Sequence, residues 1–411
     1  LPAEIDGFNL KSEIQSPKSF TIPFMRIGLI TGEFPPMQGG VGDFTRELGR
    51  ALAALGHEAH VVTRHLPEAP AYEIRDGIQI HRIISAWGWD LRRRLEAFAR
   101  VHPIDVFNLQ YQAAAYQMHP AVNLLPAALT QHIPTIVTFH DLRVPYLFPK
   151  AGPLRWKAIV AMAHGAAACI ATNDEDLDVL HREGVARAYL APIGSNIAPR
   201  SLTNFDRADW LRAHSLDPQQ LWIGYFGFMN ESKGGETLMR ALALLRTRGV
   251  NAAVLHIGGS TGDSDPTNAA YAQKLRTLGA ELGCADAWHE TGFLDEAAVS
   301  EGFAACTAVA LPYRDGASYR RGTLMAALAH GAAIVTTAPR VSVPAFVDGA
   351  SMLLTPPESP TALADALQRI FADADLRAHL QAGAAELSRL FAWDAIATRT
   401  AAVFRRVTTD R

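Results

Sequence analysis

The chain has 411 residues, 49% of them hydrophobic and 19% charged, which excludes a disordered polymer and is enough for at least two domains with full cores. A net charge of −3 gives no electrostatic case for nucleic acid, and no apolar run has the length needed to span a bilayer.

Residues 1–23 are polar and mixed in charge, without the apolar core of a signal peptide, and read as an N-terminal arm. From Met25 to Thr63 the chain reads as strand, glycine loop, helix, turn, strand. Ile27, Leu29 and Ile30 form a short apolar run suited to a buried parallel strand. Pro35-Pro36 and Gly39-Gly40-Val41-Gly42 then break the chain. Val41, Phe44, Leu48, Leu52 and Leu55 recur at steps of three and four, which is one face of a helix that Gly56 ends. Ala59 to Val62 reads as a second strand. A glycine loop that opens a helix behind a strand leaves N–H groups at the positive end of the helix dipole, an anion site suited to phosphate.

Further strands are expected at 106–109, 135–139, 169–172 and 188–191, with alanine-rich helices between them. The pattern weakens over 198–218 and restarts at 221–227. More strands follow at 253–257, 288–293, 308–311 and 334–337. Phe391-Ala392-Trp393 opens a final amphipathic helix. Alternation of this kind implies parallel sheets covered on both faces, in two α/β halves joined near residue 200 and without sequence-level repeats. Ligands of such sheets bind beyond the carboxyl ends of the strands, so two domains face to face enclose a cleft. Cys169, Cys284 and Cys306 are odd in number and far apart, which fits buried thiols in a reducing cytoplasm better than a disulfide framework.

Six segments in order resemble the retaining GT-B glycosyltransferases of family 4, over roughly residues 24–405. They are the loop Pro35 to Phe44, Thr138-Phe139-His140-Asp141, Pro192 to Asn196, Phe226 to Gly234, Thr291 to Leu294, and Leu311 to Thr337 with the closing Phe-Ala-Trp helix. The resemblance implies an α/β, GT-B fold: two Rossmann-like, doubly wound parallel-sheet domains facing across a cleft. It divides the chain into the arm (1–23), an acceptor-side domain (24–200), a donor-side domain (201–385) and a C-terminal helix (386–411) that crosses back to the first domain. It implies transfer of a sugar from a nucleotide-diphosphate sugar to an acceptor hydroxyl, with retention and without a metal. The nucleotide sugar, UDP- or GDP-linked, is a substrate; no resident cofactor is expected. A sugar, glycan or lipid-linked acceptor is implied. The expected setting is cytoplasmic, with peripheral contact at the inner membrane face left open; Arg92-Arg93-Arg94 is the one basic cluster of the first domain.

The resemblance also assigns residues. Gly39, Gly40 and Gly42 face the donor diphosphate, and Lys233 contacts it as a compact point charge. The family's usual Arg five residues before that lysine is Phe228 here. The family's two glutamates, with seven residues between them, fall on Ser318 and Ala326, neither of them acidic. Arg320 and Arg321, just before Gly322 and Thr323 at a helix start, are expected to hold the diphosphate instead. Asp315 is the nearest upstream carboxylate. Gly292, Phe293 and Leu294 are expected at the nucleotide. His140 is expected at the donor sugar or the reacting groups, with Asp141 orienting it or binding acceptor hydroxyls. Glu33 is placed on the acceptor side. The expected catalytic set is His140, Asp141, Lys233 and Arg321.

No metal-ligand pattern of the HExxH, paired-cysteine or Walker type occurs, so no metal is expected. Asp263-Ser264-Asp265 reads as solvated loop acids, and Asp174-Glu175-Asp176 as the acidic first turn of a helix capped by Asn173, with no other role. Two other readings stay open. One is a non-catalytic GT-B protein that binds nucleotide or glycan, prompted by Ser318 and Ala326. The other is a dinucleotide oxidoreductase, which the loop spacing disfavours because it is not G-x-G-x-x-G.

Overall fold

The computed structural model describes residues 23–37, 39–142, 152–259 and 266–409. The expected arm lies almost wholly outside them, as do Asp263-Ser264-Asp265.

In the first half, β1 (Arg26–Thr31) leads through α1 (Gly40–Ala54) to β2 (Glu58–Arg64), and then to β3 (Tyr72–Arg75) and β4 (Ile78–Ile84). Next come α2 (Leu91–Val101), β5 (Val106–Tyr111), α3 (Ala121–Leu129), β6 (Thr135–Phe139) and α4 (Gly152–Gly165). β7 (Ala168–Ala171), α5 (Asp174–Arg182) and β8 (Ala188–Leu190) complete it. The eight strands form one sheet in the order β3-β4-β2-β1-β5-β6-β7-β8, and β3 alone runs antiparallel to its neighbour. Ile27 to Thr31 are buried, as a central parallel strand covered on both faces requires. The β3–β4 hairpin is absent from the sequence reading. Asp76 and Gly77 have φ of 53° and 80°, the two positive values of a tight hairpin turn, so the Asp-Gly pair was the available signal. β3 is largely exposed, and the search for buried strands passes over it.

The second half contains α6 (Arg207–Ala213), β9 (Leu221–Phe226), α7 (Gly235–Thr247), β10 (Ala252–Ile257), α8 (Pro266–Glu281), β11 (Trp288–Glu290) and α9 (Glu296–Ala305). It continues with β12 (Ala308–Leu311), α10 (Gly322–Ala329), β13 (Ile334–Thr337), β14 (Leu353–Thr355), α11 (Pro360–Ala372) and α12 (Ala374–Ser388). Its six strands pair in parallel in the order β11-β10-β9-β12-β13-β14. β11 stops at Glu290 instead of running to Phe293, because Gly292 turns the chain at a φ of +74°.

β1 lies between β2 and β5, and β9 between β10 and β12. In each sheet the strand order reverses there, so a crevice opens at the carboxyl end of each of these two strands. The glycine loop follows β1 and the Lys233 loop follows β9.

The last helix, α13 (Trp393–Thr409), packs on the first domain. Ile396, Ala397, Ala401 and Phe404 join the same apolar cluster as Phe44, Leu48 and Leu52 of α1. Its first residue is pinned as well: Trp393 Nε1 donates to the Ser195 carbonyl at 2.7 Å, and its ring meets Phe44 edge-on at 5.3 Å. Phe404 is fully buried. Phe404→Ala should therefore lower the unfolding free energy by about 3–5 kcal/mol in a urea titration. A loss below about 1 kcal/mol would mean that α13 contributes little to the first domain's core.

Candidate active site

The first wall is built on the exits of β1 and β6. Thr31 Oγ1 donates to the Glu33 carbonyl at 2.7 Å and turns the chain out of β1. The Glu33 carboxylate then folds back and accepts the Val41 N–H at 3.1 Å. A Cβ on Gly39 would come within 2.2 Å of that carboxylate, and one on Gly42 would press 3.0 Å from the Glu33 carbonyl. A Cβ on Gly40 would meet nothing within 4 Å among the described residues. One of the N–H groups expected to await a phosphate is thus occupied by the protein's own carboxylate. Among the described residues the loop is open on its Gly40 side.

His140 follows β6. Its Nε2 donates to Gln110 Oε1 at 2.9 Å, and the Phe44 ring packs edge-on at 4.7 Å. The Gln110 amide in turn donates to Asn108, and Asn108 Nδ2 donates to Thr138 Oγ1 at 2.9 Å. Asn108, Gln110 and Thr138 are fully buried, so this is a polar ladder inside the sheet. It fixes the tautomer: Nε2 carries the proton and Nδ1 keeps its lone pair. Burial pushes the His140 pKa down to about 3, so the ring is neutral at working pH. The sequence reading missed Asn108 and Gln110, although two amides at alternate positions of a buried strand are an unusual pair.

The second wall is built on the exits of β9 and β12. Gly227, at a φ of +90°, ends β9, and a Cβ there would come within 2.8 Å of both Lys233 Nζ and the Thr323 methyl. Any other residue would fill the space that these two side chains border. The buried His256 holds this turn, its Nε2 donating to the Gly227 carbonyl at 2.7 Å. The sequence reading did not single out His256. Arg321 donates to Ser232 Oγ at 3.3 Å, pairs with Asp315 and lies over the Tyr313 ring, 4.5 Å from its centroid. Tyr313 and Thr323 hydroxyls meet at 2.6 Å. Lys233 Nζ makes no hydrogen bond and no ion pair among the described residues. Burial and the nearby Arg321 lower its pKa to about 8.

A pocket of about 800 Å³ opens beside this loop and is lined by Asn230, Ser232, Tyr271, Arg314, Asp315 and Glu358. Its charges are largely satisfied within the protein, Arg314 pairing with Glu231 and Glu358. An unneutralised cation marks an anion site better than volume does, so Lys233 defines the candidate centre.

The structure separates the two arginines. Arg321 faces the Lys233 loop, whereas Arg320 reaches across to the first domain. There it lies 3.4 Å from Asp141, 3.4 Å from Glu175 and 3.7 Å from Asp176. Arg340 pairs with Glu175 as well. The acidic run at the start of α5 therefore does more than the sequence reading allowed. Asn173 does cap the helix, accepting the Asp176 N–H, but Glu175 and Asp176 also meet second-domain cations. Beside them a cavity of about 30 Å³, room for one water, is lined by Asp174, Glu175, Ser318, Tyr319, Arg320 and Arg340. Burial pushes the Asp174 pKa up to about 6, and its Oδ2 has no hydrogen-bond partner among the described residues.

The remaining expected positions fall as follows. Gly292 pairs with Gly258 across the exits of β10 and β11, Phe293 is 88% exposed, and Leu294 packs partly against the second core. Gly322 and Thr323 begin α10. Ser318 is half-buried and its carbonyl accepts the Arg321 N–H at 3.1 Å. Ala326 lies inside the second core, 1% exposed. Its methyl group has no polar chemistry to offer a ligand.

Both halves match known families. The Glycosyltransferase Family 4 model matches residues 38–194, and the Glycosyl transferases group 1 model matches residues 220–373. The D-inositol 3-phosphate glycosyltransferase of Stackebrandtia nassauensis is 26% identical, over 90% of this chain and 88% of that one. The protein of the same name from Xylanimonas cellulosilytica is 26% identical, over 91% of this chain and 93% of that one. Sucrose-phosphate synthase from Thermosynechococcus elongatus shares the fold at a TM-score of 0.73 and 21% identity, over 94% of this chain and all (100%) of that one. Anabaena Alr3699/HepE in complex with UDP does so at 0.72 and 17%, over 93% of this chain and 100% of that one. With family models on both halves and two parallel-sheet domains meeting at their carboxyl ends, this chain belongs to glycosyltransferase family 4 and is a GT-B glycosyltransferase.

Proposed function

We propose that this enzyme moves a sugar from a nucleoside-diphosphate sugar, UDP- or GDP-linked, to an acceptor hydroxyl, with retention and without a metal at the reacting centre. The observation that carries the reading is Lys233, a desolvated ammonium with no counter-ion, set beside Arg321 at the switch point of the second sheet. Two cations in one pocket repel each other until an anion arrives, and a diphosphate is the anion that suits both. Solved structures of Anabaena Alr3699/HepE in complex with UDP and with UDP-glucose share this fold, which supports a nucleotide-sugar donor. The exposed Phe293 ring offers a face on which a base can stack.

In this reading the sugar's C1–O bond to the diphosphate breaks while the acceptor oxygen bonds to C1 on the same face. The acceptor proton passes to a phosphate oxygen of the leaving group, so no protein nucleophile is needed. Lys233, Arg321 and the N–H groups at the start of α10 stabilise the charge that builds on the diphosphate. His140, held neutral, offers the Nδ1 lone pair to a sugar hydroxyl and does not compete for the phosphate. Glu33 beside Gly40 places a carboxylate where acceptor hydroxyls enter and disfavours the diphosphate there. The shared name of the curated relatives makes a phosphorylated cyclitol the first acceptor to test. A cytoplasmic setting rests on Cys169, Cys284 and Cys306, all free thiols. No helix among the described residues is long and apolar enough to cross a membrane. The Arg92–Arg94 cluster is partly neutralised by Glu96 and Asp90, which weakens the case for a basic membrane patch.

Lys233→Ala and Arg321→Ala should each lower kcat/KM for a matched nucleotide sugar by about 100-fold or more. Turnover unchanged in both would overturn the diphosphate assignment; tight donor binding with no transfer by wild type would favour a binding protein. The pH profile follows from Lys233. Its lowered pKa leaves it charged below about 8 and neutral above, so kcat/KM should fall about tenfold per pH unit on the alkaline side. Lys233→Arg should move that limb up in pH. His140, titrating near 3, should add no limb between pH 5 and 8. Arg320→Ala with Arg340→Ala should raise the radius of gyration of the free enzyme in small-angle scattering. Stability should change by only about 1 kcal/mol, because most of these ion pairs are partly solvated.

A further inference from the structure

A second cluster of functional groups lies in the N-terminal half of the first sheet, away from the cleft. His60 of β2 and His81 of β4 are both buried and project on the face covered by α2, because Val62, the neighbour of His60 on that face, is the register partner of His81. His102 follows α2 directly and is half-buried. One ring nitrogen from each of the three lies within 4.8 Å of the others, and His60 Nδ1 is 3.2 Å from His81 Nε2. Two imidazole nitrogens on one tetrahedral zinc ion stand about 3.3 Å apart, given metal–nitrogen distances of about 2.05 Å. The His60–His81 spacing already has that value.

The surroundings favour the ligand form. Glu58 accepts the His60 Nε2 proton at 3.0 Å, so the His60 Nδ1 lone pair accepts the His81 Nε2–H at 3.2 Å, the proton that a bound metal ion would displace. A carboxylate behind a metal-binding histidine is the arrangement that orients such ligands and raises their basicity. Gln79 donates to the same Glu58 oxygen at 2.8 Å and holds it in place. The His102 nitrogens make no hydrogen bond among the described residues, and the ring packs with its centroid 5.3 Å from His60 and 4.7 Å from His81. Phe98 closes the side, its centroid 4.8 Å from His81 and 4.6 Å from His102.

We propose that His60, His81 and His102 form a three-histidine site for a divalent transition-metal ion, zinc fitting it best, with Glu58 behind His60 and water in the fourth place. The ion would tie β2, β4 and the end of α2 together. The site is separate from sugar transfer, which needs no metal in the reading above.

The test uses the tag-free full chain, stripped with a chelator and titrated with zinc chloride alone by calorimetry. Wild type should bind one ion per chain and melt at a higher temperature with zinc than without. His102→Ala, at the half-buried position, should weaken binding at least 100-fold while its metal-free melting temperature stays close to wild type. Glu58→Gln should weaken it about 10–100-fold. Cobalt(II) in place of zinc should give wild type the intense visible bands of a tetrahedral site, a readout that needs no variant. Absence of those bands, or zinc binding of equal strength in wild type and His102→Ala, would overturn the proposal.

Discussion

Setting the Lys233 ammonium beside the Arg321 guanidinium, partly out of water, costs free energy that an incoming anion offsets. Much of the second domain serves that arrangement. β9 ends at Gly227, where a side chain would collide with Lys233 and Thr323, and buried His256 ties the turn down. Tyr313 supports Arg321 from below, and Ser232 and Asp315 aim it. Asp315 neutralises Arg321 in part, but no carboxylate pairs with Lys233 among the described residues. The pocket keeps one cation in reserve.

The first domain contributes the complementary character. Its helix start is already satisfied in part by Glu33, and its histidine is kept neutral by burial and held in one tautomer by a buried amide ladder. One wall is therefore cationic, while the other offers hydroxyl-binding groups and a carboxylate. A charged diphosphate and a hydroxyl-rich acceptor sort between such walls by electrostatics alone. Between them Arg320 and Arg340 meet Asp141, Glu175 and Asp176, so the same ion pairs that join the domains set how far apart the walls stand. Most of these pairs are partly solvated, and pairs of that kind are weak enough to break when a ligand enters or leaves.

The elements and their order were legible in the sequence wherever local pattern decides. The strand of Ile27 to Ile30, the helix face of Phe44, Leu48 and Leu52, and the Asn173 cap all appear where periodicity and cap chemistry place them. The loops after β1 and β9 were legible too, because glycine and lysine have few reasons to recur at those positions. Side-chain partners were not. Nothing in Arg320-Arg321 says that one guanidinium turns to its own domain and the other to the opposite one. That depends on the direction in which α10 begins and on where α5 starts across the cleft.

The same limit explains the histidines and the missing carboxylates. His60, His81 and His102 fit no local metal motif, and only the β2–β4 register with the return of α2 brings them together. Ala326 could be compared with a family pattern, but its position inside the core emerged only from packing. By itself the sequence determined the element order and the two-domain α/β plan, because periodicity, breakers and caps act over a few residues. The tertiary structure decided which charges are paired, which stay open and which nitrogens share a space, because desolvation and Coulomb energy depend on neighbours far away along the chain.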